Sequence, residues 1–228
     1  MMIKMKNQLR HIMLMAVAVA SVHVAASAAS APFLEDTVYF YESWEQVFSD
    51  SPVIAVTPLV YTATPYELYF DTGNERFNSS VEDEFIAATM GDSIWLINSN
   101  YVKQNFNGDA KKLDGYVPFY FNDKVAFAVY AGVNDNMSLK NILFGSDESN
   151  MDYSNAVSYY YFDFMGRKVL KVNPSVLSEL LEDYHDLQMR YEGMKNYKKK
   201  EIIEDYFFKY IDRASQDVLR PNILDLVE

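Results

Sequence analysis

No cysteine occurs anywhere in the 228 residues. That absence removes thiol nucleophiles, thiolate zinc ligands, disulfides and the acylated cysteine of a lipoprotein. Histidine is nearly as scarce, with only His11, His23 and His185. His11 and His23 fall in an N-terminal leader, so a Ser–His–Asp triad would depend on His185, and no G-x-S-x-G elbow accompanies it. Histidine-rich zinc sites cannot form. The eight glycines make no phosphate-cradling loop, which argues against nucleotide chemistry. After the leader no apolar run is long enough to cross a bilayer. No repeat of about 20–50 residues is visible, so a solenoid or propeller is not expected.

The leader itself carries a pattern. Lys4, Lys6 and Arg10 precede the unbroken apolar stretch 12–20, and small residues follow up to Ala31. A basic start, a short apolar core and an Ala-x-Ala site define a secretory signal peptide, here covering 1–31. Ala26-Ser27-Ala28 is the best cleavage site and would leave Ala29 as the first mature residue.

Basic residues are few in the remainder, because three of the 20 lie in the leader while no acidic residue precedes Glu35. Seventeen basic residues then face 32 acidic ones. Such a surplus repels phosphate backbones and anionic lipid, so nucleic acid is not an expected partner. All 18 tyrosines lie from Tyr39 onward. So many aromatics argue for a packed domain rather than disorder.

Along the chain, Ser43-Trp44-Glu45-Gln46 fits a capping box and predicts a short helix over 43–49. Residues 53–61 and 66–70 read as strands, with a turn at Asp71-Thr72-Gly73-Asn74. Residues 84–90 and 93–98 read as a hairpin about Gly91-Asp92, and 116–121 with 124–131 as a second about Asn122-Asp123. Phe119, Phe121, Val125, Phe127 and Val129 alternate with their neighbours, as one buried face requires. Residues 134–155 read as a polar loop, and 159–164 with 168–172 as a third hairpin. The period then changes to 3.6. Asn173-Pro174 opens a helix reaching Tyr191, and a second runs over 198–219. The expected fold is α+β: one domain over 32–228, an antiparallel sheet over about 53–172, and helices over about 173–220 packed on one face.

Three blocks carry a resemblance. They are Tyr41-Glu42-Ser43-Trp44-Glu45-Gln46-Val47-Phe48 followed by Pro52, then Ser93-Ile94-Trp95-Leu96-Ile97-Asn98, then Tyr161-Phe162-Asp163-Phe164-Met165-Gly166-Arg167 followed by Leu170 and acidic helices. In this order they resemble uncharacterised exported proteins of Bacteroidales-type bacteria. The resemblance implies export and this order of elements. That group has no established activity, so it adds no catalytic residue.

Chemical motifs are sparse. Asp71-Thr72-Gly73 spells the aspartic-protease triplet, but that chemistry needs two such aspartates, and Asp and Gly are ordinary turn residues. Asp135, Asp147, Glu148 and Asp152 lack EF-hand spacing, so no metal is expected. Lys195, Lys198, Lys199 and Lys200 read as a solvated segment between helices. The remaining signal is aromatic. Trp44, Trp95, Tyr159, Tyr160 and Tyr161 are candidates to stack on a sugar or anchor a partner, against the plainer reading that they fill the core. The expectation is a non-enzymatic exported domain, in the periplasm or at the cell surface, binding an envelope or extracellular partner or glycan without a cofactor. A carboxylate-based hydrolase acting on glycan or peptidoglycan, or an assembly accessory, are the alternatives.

Overall fold

The computed structural model describes residues 37–57, 60–64, 67–90, 94–130 and 157–227. The leader, the Gly91-Asp92 turn and the loop 134–155 lie outside them. Among the described residues eleven strands join in one sheet. They are β1 (Val38–Tyr41), β2 (Ile54–Val56), β3 (Val60–Thr64), β4 (Glu67–Asp71), β5 (Ala87–Met90), β6 (Ile94–Asn98), β7 (Asn107–Gly108), β8 (Tyr116–Phe121), β9 (Ala126–Tyr130), β10 (Ser158–Asp163) and β11 (Lys168–Lys171). The spatial order is β2-β1-β5-β6-β8-β9-β10-β11-β7, with β4 and then β3 branching from β8. Pairing is antiparallel except between β11 and β7. Gly108 makes that close approach possible, since a Cβ there would lie 2.7 Å from the Val169 carbonyl oxygen.

β8 is where the sheet changes partners. Residues 116–118 pair with β6, while 119–121 pair with β9. Tyr116 also meets Leu68 of β4. Pro118, which has no N–H to donate, falls at this handover, where a ladder bond can be spared.

The helices are α1 (Trp44–Ser49), α2 (Glu75–Glu84), α3 (Ser99–Asn105), α4 (Pro174–Leu180), α5 (His185–Glu192), α6 (Lys200–Ser215) and α7 (Leu224–Val227). The predicted caps form. Ser43 accepts from the Gln46 N–H at 3.3 Å, and Gln46 reaches back to the Glu42 N–H at 2.9 Å. Asn173 accepts from the N–H groups of Ser175 and Val176. Asp71-Thr72-Gly73-Asn74 turns with Gly73 at φ 73. It also starts α2, with Asn74 accepting from the Phe77 N–H.

Several sequence expectations are corrected. The stretch 53–61 is two strands, not one; residues 75–83, unassigned in the sequence reading, are helical, and so is Glu84, read there as strand. The helix expected over 174–191 breaks at Leu181–Tyr184, where Tyr184 is drawn away by its hydrogen bond to Asp217 and its ring contact with Tyr210. The last long helix stops at Ser215, so Val218 lies outside its apolar stripe. Phe119 and Phe121 do not share a face with Val125, Phe127 and Val129. The register sets Phe119 against Ala128 and Tyr120 against Phe127, which sends the two sets to opposite sides.

Both faces are therefore buried. On the outer side, α4, α5 and α6 cover Val125, Phe127 and Tyr161 with Leu177, Leu181, Phe207, Tyr210 and Ile211. α2 covers the other half of that side through Val81 and Phe85 against Phe40, Leu96 and Tyr116. The inner side draws Tyr41, Ile97, Val117, Phe119, Tyr160, Phe162 and Val169 into one cluster with Trp44 and Val102. Strands as distant in the order as β1 and β11 share that cluster, so the sheet curls around it. Ala87, Ala126 and Ala128 leave room for the large rings inside the curl. Each fully buried large side chain contributes about 1.5–3 kcal/mol.

Candidate functional site

The structure disposes the sequence candidates unequally. His185 is the exposed first residue of α5. Asp71 ends β4 opposite Val60. Among the described residues no group of His, Asp and Glu could hold a metal ion, and no helix is long and apolar enough to cross a membrane. The Asp135–Asp152 acids lie outside the described residues. Glu204 has its carboxyl raised, chiefly by burial, but it sits on α6 beside Lys200 at 3.8 Å.

Of the five aromatic candidates, three are core. Trp44 is 5% exposed and Tyr160 and Tyr161 are 3% exposed, which leaves no face for a ligand. The consecutive tyrosines alternate as a strand demands. Tyr160 points inside the curl, while Tyr159 and Tyr161 lie under the helices. Tyr159 is half-buried and packs on Phe207 and Phe208 at 5.7 and 5.4 Å. Tyr161 accepts hydrogen bonds from Tyr210 and Arg220.

Trp95 differs. It is half-buried at the rim of the inner face, where the register aligns Tyr39, Thr89 and Trp95 across three strands. Its ring lies 4.9 Å from Tyr41 and meets Phe121 edge-on at 5.1 Å. Phe121 meets Phe48 edge-on at 5.1 Å. Tyr39, Phe48, Trp95 and Phe121 are all half-buried and make an aromatic rim, in which Trp95, Phe121 and Phe48 touch in series while Tyr39 lies on the same face two strands from Trp95. Polar groups stand beside it. The Tyr41 hydroxyl donates to Asp50 Oδ1 at 3.0 Å and lies 3.2 Å from Thr89 Oγ1. Asp50 is exposed and closes α1 with φ 53, a left-handed conformation that aspartate tolerates better than most residues. Rigid elements thus present apolar ring surface next to a carboxylate and a hydroxyl pair.

Sequence reasoning named Trp95 but not Tyr39, Asp50, Thr89 or the partnership of Phe48 with Phe121. The period-two pattern of β1 and β8 puts Tyr39 with Tyr41 and Phe119 with Phe121. Which face they share needs the register.

The buried phenols make a pH prediction. Burial is the main cause that pushes Tyr41, Tyr160 and Tyr191 up to about 12. The Tyr191 hydroxyl has no hydrogen-bond partner among the described residues. In the unfolded chain these phenols ionise near pH 10. Between the two values the unfolded state releases protons that the folded state keeps. The stability they contribute is complete below about pH 10 and is lost as pH rises toward and through about 12, at ~1.4 kcal/mol per pH unit for each such tyrosine. Urea unfolding midpoints from about pH 9 to pH 11.5 will fall steeply over the upper part of that range. Midpoints that stay level there would show phenols already open to solvent.

Neither a curated protein nor a solved structure matches the chain. A family profile matches residues 60–218, a span that runs from β3 through the end of α6 and leaves β1, α1 and α7 outside. On that match, the chain belongs to the family of unknown function DUF6563.

Proposed function

We propose that this is an exported, non-enzymatic binding domain that holds sugar rings on the aromatic rim of Tyr39, Phe48, Trp95 and Phe121. The observation that carries the reading is the half-buried Trp95, braced by Tyr41 and Phe121 beside the exposed Asp50 carboxylate. A sugar offers an apolar ring face and a fringe of hydroxyls. A rigid indole takes the first, and Asp50 accepts from the second. The leader over 1–31, with cleavage before Ala29, supports delivery to the periplasm or cell surface of a Bacteroidales-type bacterium. The absence of cysteine argues against a lipid anchor.

The test is retention of the processed protein by insoluble polysaccharides and by peptidoglycan sacculi. Wild type will be retained by at least one of them. Trp95→Ala will lose about tenfold or more of that affinity, while Trp95→Tyr keeps most of it. Melting curves on each variant separate lost binding from lost folding. Retention of Trp95→Ala equal to that of wild type, or no retention of wild type on any polymer, would falsify the reading; capture of a protein alone would redirect it to a protein partner.

A further inference from the structure

Of the eight glycines in the chain, Gly108 alone follows an asparagine. Asparagine is among the thermolabile residues, and a following glycine, with no Cβ, leaves its nitrogen open to the asparagine side chain. The fold fixes the glycine here. Its φ is 73, and a Cβ would lie 2.7 Å from the Val169 carbonyl oxygen.

Asn107 and Gly108 are both exposed and together make up β7, the last strand in the sheet order. An edge strand turns main-chain groups to solvent. The Asn107 N–H donates to the Arg167 carbonyl at 2.8 Å. Successive N–H groups on a strand point to opposite sides, so the Gly108 N–H faces the open edge. Among the described residues no hydrogen bond holds the Asn107 carboxamide. The side chains of Asn74, Asn98, Asn122 and Asn173, by contrast, are tied into caps and turns. The register sets the exposed Lys168 opposite Asn107. A cation there favours a negatively charged amide nitrogen. The nearby Asp109 carboxylate is already paired with Lys112 at 2.6 Å.

We propose that Asn107 is a self-modification site: in the folded protein its side chain closes on the Gly108 nitrogen and is converted to aspartate and isoaspartate, which frees β7 from β11. The Gly108 N–H gives its proton to water or hydroxide, and the nitrogen bonds to Asn107 Cγ. The Cγ–Nδ2 bond breaks, and Nδ2 takes a proton from solvent and leaves as ammonia. Water then adds to either carbonyl of the cyclic imide and cleaves that C–N bond. Water enters, ammonia leaves, and nothing is oxidised or reduced. Ring closure takes Asn107 out of the extended conformation, and a two-residue strand at a sheet edge opens at little cost. Isoaspartate carries the main chain through Cβ, one atom longer. Residue 107 then cannot keep its bond to Arg167 while Gly108 keeps its approach to Val169. The inference does not rest on the sugar-binding reading, since the rim lies on β1, α1, β6 and β8.

The experiment ages the processed protein at mildly alkaline pH, folded in buffer and unfolded in guanidinium chloride, and maps digests by mass spectrometry. In the folded protein Asn107 will convert before every other asparagine. Its rate will lie within about tenfold of the unfolded rate, an opening cost below about 1.4 kcal/mol. Asn107→Gln, which must close a larger ring, will remove the early product and leave the melting curve unchanged. The isoaspartate form, separated by its added negative charge, will lose amide-exchange protection along β11 while α6 keeps its own. Another asparagine converting first, a folded rate more than about tenfold below the unfolded one, or an isoaspartate form with β11 fully protected would overturn the proposal.

Discussion

Trp44→Ala will lower folding stability by about 3–5 kcal/mol. Trp44 is 5% exposed, and its ring meets Phe164, Phe119, Phe48 and Tyr101 with centroids 5.3–6.3 Å apart. Those rings come from α1, α3, β8 and the turn after β10, so the indole ties four separate segments to the inner core. Its Nε1–H also donates to the Tyr101 hydroxyl at 2.8 Å. Alanine leaves a cavity among rings fixed by two helices, a strand and the turn after β10, which cannot collapse far. For a chain of this length the loss corresponds to a fall in Tm of roughly 6–20 °C. Trp44→Phe, which keeps part of the volume and loses the hydrogen bond, will cost less. A loss under about 1 kcal/mol for the alanine variant, read from urea unfolding, would mean that the inner core is open at α1.

Removing Asn173–Glu228 will abolish cooperative unfolding altogether. The outer face of β9 and β10 would lose Leu177, Leu181, Phe207, Tyr210 and Ile211, and Val125, Phe127 and Tyr161 would be laid bare. Ile223, 1% exposed, would be lost from the inner cluster as well. At about 1.5–3 kcal/mol for each large side chain, the loss exceeds the ~5–15 kcal/mol net stability of a typical domain. The product will be insoluble, or soluble with bound hydrophobic dye and no near-ultraviolet dichroism. A sharp thermal transition in the shortened chain would refute this.

Local signals were legible in the chain and distant ones were not. The caps at Ser43 and Asn173 and the hairpins about Asn122-Asp123 and Met165-Gly166 depend on neighbours within a few residues, and they formed where expected. α2 escaped notice because its apolar stripe is thin, with Phe77 and Val81 flanked by Asn78, Ser79 and Ser80. Its cap, Asn74, also belongs to a turn motif. The face assignment of Phe119 and Phe127 turns on a single residue of register, which alternation alone leaves free. The break at Tyr184 is imposed from Asp217, 33 residues on. The aromatic rim joins β1, α1, β6 and β8, and no short window of sequence contains them together.

The chain's two described ends meet. α1, six residues after the first described strand begins, packs against α7, and Leu224, Leu226 and Val227 lean on the inner cluster that holds Trp44. The Ile223 N–H donates to the Asp123 carbonyl at 2.7 Å, which pins the returning tail. A chain made N-terminus first cannot close this core until residues 223–227 have emerged. Until then Tyr41, Trp44 and Val47 lack the cover that α7 gives, and this long-range closure must wait for a segment about 180 residues further along the chain. Completion of the inner core is thereby postponed until α7 arrives, an interval in which the half-made domain is open to chaperones and to proteases alike.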